Sequence, residues 1–69
     1  MSDSVYKIIE LTGTSKTTIE DAVNNALEKA AKTVHKMAWF EVVETRGRID
    51  TNHVEQWQVT IRLGFLVED

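Results

Sequence analysis

The chain has 69 residues with no cysteine, no proline and three glycines, so it is one small domain whose core no disulfide or thiolate–metal bond can staple. Eleven acidic against eight basic side chains leave a net charge of −3, which disfavours a nucleic-acid partner, and an apolar content of 42 % is too high for a disordered chain. The apolar runs are too short for a membrane span, and Met1, Ser2, Asp3 and Ser4 lack the basic start of a signal peptide, so a cytoplasmic protein is expected.

Residues 4–11 are the first expected strand. Val5, Lys7, Ile9 and Leu11 share one face, and Tyr6, Ile8 and Glu10 share the other. Thr12, Gly13, Thr14 and Ser15 break the strand, with Gly13 permitting a tight turn.

A helix of about 28 Å is expected over residues 18–36. Ser15 or Thr17 serves as its N-cap, and Thr17 with Glu20 fits a capping box. Glu20 and Asp21 near the start and Lys29, Lys32 and Lys36 near the end suit the helix dipole. Ile19, Ala22, Val23, Ala26, Leu27, Ala30, Val34 and Met37 recur at helical spacing and mark the core face, the alanines allowing close approach to a sheet. Glu28 and Lys32 form an i,i+4 pair on the wet side.

The second strand is expected over residues 38–46, stopped near Gly47. Phe40 and Val42 fall on one face, with Trp39, Glu41, Val43 and Thr45 on the other. Residues 48–53 read as a polar connector to an antiparallel last strand over 54–67. There Trp57, Val59, Ile61, Leu63, Phe65 and Val67 alternate with Gln56, Gln58, Thr60 and Arg62. Extended, that strand reaches about 46 Å, so it outruns the helix and must curl around it or pair with another subunit. Either outcome suits an α+β chain of β-α-β-β order that assembles, residues 1–69 forming a single domain.

One helix covers only one face of a three-stranded sheet. Trp39 lies on the other, beside Gln58, Thr60 and Arg62 if the second and third strands pair. A tryptophan there needs a subunit contact or a flat ligand to cover it. Taken together, Leu11-Thr12-Gly13-Thr14-Ser15, Trp39-Phe40-Glu41-Val42, Arg46-Gly47, Gln58-Val59 and Gly64-Phe65 in this order resemble a dodecin, over nearly the whole chain from Tyr6 to Glu68.

The resemblance implies an α+β, β-α-β-β subunit with a three-stranded antiparallel sheet curled around one long helix. Its hollow homo-dodecamer stores and sequesters flavins, stacked in pairs between tryptophans of neighbouring subunits. The matching tryptophan is Trp39. Gln58 matches the glutamine that hydrogen-bonds the polar edge of the isoalloxazine, and Arg46 matches an arginine near the phosphate of FMN, with Arg62 a second basic candidate. FMN is the expected ligand, FAD and riboflavin being alternatives, and coenzyme A is a further ligand of some members. Quenching of flavin photochemistry by Trp39, and hence photoprotection, is implied as well. Trp57 departs from the family, where tyrosine or phenylalanine is common; it belongs to the helix-facing set and implies a packing change.

Other residues carry less. Glu20 and Asp21 are adjacent on a helix and do not face each other, so they are not an acid–base pair. His35 and His53 are far apart and read as solvated, and no metal site is expected. The lysines at 29, 32 and 36 read as a solvent face, with a coenzyme-phosphate site as the alternative. No catalytic residue, G-x-G-x-x-G or P-loop is found, so the expectation is a binding protein without catalysis. The alternatives are a flavin-dependent oxidoreductase and a structural assembly module without flavin.

Overall fold

The computed structural model describes residues 3–67. Met1, Ser2, Glu68 and Asp69, where part of the reading of the amino terminus and the end of the dodecin resemblance fall, lie outside the described residues. The order is β1 (Tyr6–Ser15), α1 (Ile19–Ala30), β2 (Met37–Asp50) and β3 (His53–Leu66). All pairings are antiparallel in the sheet order β1-β3-β2, as expected for a β-α-β-β chain. The last strand is therefore the central one.

Gly13 does not turn the chain. It continues β1 as far as Ser15, opposite Val59, and its missing side chain serves packing. A Cβ at Gly13 would collide with the Ala22 carbonyl oxygen and come within 2.8 Å of the Ala26 Cβ. Helix and strand thus touch backbone to backbone. Ala22, Val23, Ala26 and Ala30 from α1, with Val59, Ile61 and Leu63 from β3, make the buried core, and Leu11 and Leu27 pack at its rim.

Helix α1 starts one residue later than the capping box suggested. Thr18 is the N-cap, its Oγ1 accepting from the Asp21 amide at 2.9 Å. Ser15 still serves the same end: its Oγ accepts from the Thr17 and Thr18 amides at 3.0 and 3.3 Å and donates to the Asp21 carboxylate at 2.9 Å. The larger correction is at the other end. The helix has 12 residues, about 18 Å, and not the expected 28 Å. Beyond Ala31 the bonds become irregular: the Lys32 amide to the Lys29 carbonyl and Thr33 to Ala30 are of the i→i−3 type, and Val34 closes the turn back to Ala30 at 2.8 Å. The β-branched pair Thr33–Val34 is stiff at χ1 and favours extended backbone, and Lys36, at φ 61°, turns the chain into β2. Lys32 therefore lies past the last helical residue, which removes the frame of the Glu28–Lys32 pair.

Strand β2 passes through Gly47 to Asp50, so residues 48–50 are strand and the connector shrinks to Thr51 and Asn52. Both adopt positive φ, 50° and 65°, as a two-residue type I′ hairpin turn requires. Helix α1 packs chiefly on β1 and β3, and all fourteen residues of β2 are exposed. The β2–β3 hairpin runs past the helix, giving a subunit 56 Å long and 20 × 13 Å across.

Register in β2 breaks between Val42 and Glu44. Val42 pairs with Ile61 and Glu44 with Thr60, leaving Val43 as the extra residue of a bulge. Strict alternation had put Thr45 on the Trp39 face. The bulge moves Thr45 to the helix side, opposite Val59, and brings Glu44, Arg46 and Arg48 to the face of Trp39.

Candidate functional site

The face of the sheet away from the helix is built of cross-strand rows. At one end Trp39 pairs with Gly64, which pairs with Ile8. The absence of a side chain at Gly64 is what seats the indole: a Cβ there would overlap the Trp39 ring, coming within 2.8 Å of Cδ2 and closer still to Cε2 and Cζ2. One side of the ring thus lies against β3. Tyr6 flanks it at a centroid distance of 6.3 Å, tilted by 57°. Trp39 remains 41 % exposed and Ile8 51 %, so this end is an uncovered apolar platform.

At the other end the rows are polar. Arg46 pairs with Gln58, which pairs with Thr14. Arg46 Nε donates to Gln58 Oε1 at 2.8 Å, and Gln58 Nε2 donates to Gln56 Oε1 at 3.1 Å. Arg46 Nη1 also lies 3.8 Å from the Glu44 carboxylate. Arg46 and Gln58 are thus brought together. Gln58 is not beside Trp39, however: six residues of β3 separate it from Gly64, about 20 Å of strand. Arg62 lies between the two ends, its Nε 3.4 Å from the Glu10 carboxylate, with Glu41 across from it on β2.

Nearer the hairpin tip, Arg48 Nη2 donates to Glu55 Oε1 at 2.6 Å, and Lys16 Nζ stands 3.8 Å from Glu55 Oε2. The Arg48 hydrogen bond and charge, with Lys16 behind them, hold the Glu55 carboxyl below its ordinary pKa against a smaller opposing effect of desolvation. The same contact raises the pKa of Arg48.

On the helix side, Trp57 is half-buried across from Gly47, where its ring stands at van der Waals distance from the position a Cβ would take. That side also carries a cleft of about 160 Å³ lined by Leu27, Met37, Ala38, Trp39, Phe40 and Leu63. It opens because α1 stops short of β2. His53 pairs with Asp50 at the hairpin, and His35 is exposed ahead of β2. Among the described residues, no group of three or more His, Asp or Glu side chains is placed to hold a metal ion. No helix among them is long and apolar enough to cross a membrane.

The sequence reading missed Gly64 as the seat of the indole, Tyr6 as its flank and Gln56 as the partner of Gln58. A lone glycine inside a strand of clean alternation was the available signal for a close approach.

The Dodecin family profile matches residues 5–68. The chain belongs to the dodecin family. A dodecin of Thermus thermophilus is 45 % identical over 65 residues, which cover 94 % of each chain. The structure of a dodecin from Streptomyces coelicolor superposes with a TM-score of 0.94 at 42 % identity, covering 100 % of this chain and 99 % of that one. A more distant neighbour is the calcium dodecin of Mycobacterium tuberculosis, described as a calcium chelating antigen with a novel calcium-binding site. It is 28 % identical with a TM-score of 0.81, over 94 % of this chain and 93 % of that one. Membership of the dodecins places the chain among small binding proteins that assemble into oligomers.

Proposed function

We propose that this dodecin binds flavin, with FMN as its ligand, and that it stores and sequesters the flavin without turning it over. The observation that carries the reading is the indole of Trp39 laid over Gly64 with its outer side uncovered, on the same face as the joined Arg46 and Gln58. A flat, uncharged aromatic platform suits an isoalloxazine, and the platform fits because Gly64 leaves it unobstructed. Gln58 offers an amide with donor and acceptor to the imide edge of the ring. Arg46, whose Nε is engaged by Gln58 and whose Nη1 stands 3.8 Å from Glu44, offers its exposed guanidinium end to a phosphate that would displace that surface contact. Arg62, paired with Glu10, is the second basic candidate.

The spacing within one subunit constrains how these residues act. Trp39 and Gln58 are about 20 Å apart along the sheet, more than one isoalloxazine spans. The platform of one subunit is therefore completed by Gln58 and Arg46 of another, and binding is linked to assembly. Twelve subunits of 7.9 kDa would form a particle of about 95 kDa. Trp39, an electron-rich ring, quenches the excited state of a flavin stacked on it, which is the basis of a photoprotective role.

Titration of FMN into the protein, followed by flavin fluorescence with in-line light scattering, tests the reading. Quenching that saturates on a particle near 95 kDa is expected. Trp39→Ala is expected to weaken binding by about 1–3 kcal/mol, the scale of stacking on an aromatic side chain. Unquenched FMN with the parent protein overturns the function, and parent-like quenching by Trp39→Ala overturns the site.

A further inference from the structure

We infer that Gln56 is a positioning residue that fixes which way the Gln58 amide faces, and so sets the recognition of the imide edge of a bound isoalloxazine. The inference rests on the flavin reading above and adds to it a determinant of specificity.

The amide of Gln58 is held from both ends. Arg46 Nε, across on β2, donates to Oε1 at 2.8 Å, and Gln56 Oε1, two residues back on β3, accepts from Nε2 at 3.1 Å. A primary amide has two acceptor sites on oxygen and two hydrogens on nitrogen. One of each is engaged here, which leaves one acceptor and one donor side by side. That is the complement of an imide edge, which presents an N–H next to a carbonyl oxygen. Rotating the Gln58 amide by half a turn would aim its NH₂ at the Arg46 guanidinium, which has no acceptor, and its oxygen at the Gln56 oxygen. The first contact is then donor to donor, and the second is acceptor to acceptor unless Gln56 turns its own amide as well, so Arg46 sets the oxygen end of Gln58 and Gln56 holds the nitrogen end.

Arg46 alone leaves Gln58 pinned at its oxygen but without a partner at nitrogen. Gln56 supplies that partner. It is half-buried in the central strand, directly across from Arg48, which is itself held by Glu55. The chain Arg46–Gln58–Gln56 therefore runs from the edge strand into β3, where Gln58 is paired on both sides, with Thr14 and Arg46, and Gln56 with Arg48.

The test compares riboflavin with 3-methylriboflavin, whose methyl group replaces the imide N–H, so that the phosphate plays no part. The parent is expected to prefer riboflavin, because a site that hydrogen-bonds a ligand N–H rejects the analogue without it. In Gln56→Leu and Gln56→Met, which remove the acceptor while keeping bulk, riboflavin affinity should fall about fivefold, the scale of one hydrogen bond, and the preference should narrow. Gln56→Glu, which still accepts from Nε2, should restore the preference. Gln56→Met serves if Gln56→Leu does not fold.

A preference unchanged in the apolar variants, even with both ligands weakened alike, overturns the inference, because a purely structural role would move both together. A preference lost equally in Gln56→Glu overturns it too. A parent that quenches both flavins without preference leaves the stacking site standing and removes the role of Gln58 and Gln56. A parent that binds neither overturns the flavin reading itself, and this inference with it.

Discussion

The indole of Trp39 occupies the space that a side chain on Gly64 would need. The pairing of an aromatic ring with the one glycine of β3 fixes the height of the platform above the sheet, because nothing lies between ring and backbone. Gly64→Ala should lift or tilt the indole. The expected cost is about 1–3 kcal/mol of stability from overpacking, together with a loss of FMN affinity. Urea unfolding and a fluorescence titration measure the two. Unchanged FMN affinity in a folded Gly64→Ala protein would show that the seat is not needed.

Gly13 and Gly47 make a contrasting pair. At Gly13 an added Cβ meets the Ala22 carbonyl, which is backbone and cannot swing away, so Gly13→Ala should destabilise by about 3 kcal/mol. At Gly47 the nearest atoms lie 3.4 Å or more away, at the Gln56 carbonyl and the Trp57 ring. Gly47→Ala should change stability by less than about 1 kcal/mol in either direction. Chemical denaturation of both variants decides. Equal losses would mean that the contact of α1 with β1 is looser than described.

Arg46 acts on two parts of the proposed ligand. Its Nε holds Gln58, and its guanidinium end, with only a surface contact to Glu44, meets the phosphate. Arg46→Ala should therefore weaken riboflavin modestly, through Gln58, and FMN further, by about 1.5–3 kcal/mol for a charge-assisted contact. Equal losses for the two ligands would assign the phosphate to another cation, with Arg62 next in line.

A pH dependence follows from Glu55. Its carboxyl is held below the ordinary value by Arg48 and Lys16, so the unfolded chain binds a proton more readily than the folded one. The stabilising contribution is full above the unfolded pKa and is lost as pH falls through the lower, folded value. Melting curves between about pH 6 and about pH 3 should show the parent losing stability more steeply than Glu55→Gln, with the difference shrinking in high salt. Parallel slopes would mean that the Arg48–Glu55 contact is not maintained in solution.

The apolar alternation of β3 made the central strand, its inner face and the antiparallel sheet legible, and the position of Trp39 away from the helix followed from it. The alanines of α1 pointed to a close approach, but its partner, Gly13, read as a turn because a glycine between threonines signals both. Helix length was misjudged because apolar spacing continues to Met37 after the regular helix has ended; Val34 still bonds back to the Ala30 carbonyl at 2.8 Å, but Met37 already belongs to β2. The nearness of Arg46 to Gln58 depends on cross-strand register, which a bulge sets and local pattern does not carry. The gap between Gln58 and Trp39 was a matter of row counting that becomes possible once the pairing partners are known.

The extra residue at Val43 gives β2 something like a change of reading frame. A strand writes inside and outside in alternate letters, and one inserted letter exchanges the two for everything downstream. Within 44–48, substitutions alter what a position says but leave where it faces, whereas drawing Val43 into regular pairing would turn Glu44, Arg46 and Arg48 inward and present Thr45 and Gly47 in their place. In this short stretch the bulge, and not a residue's place in the alternation, decides which side chains reach the outer face, and the same residues in an unbroken strand would fold a sheet with its polar face blank.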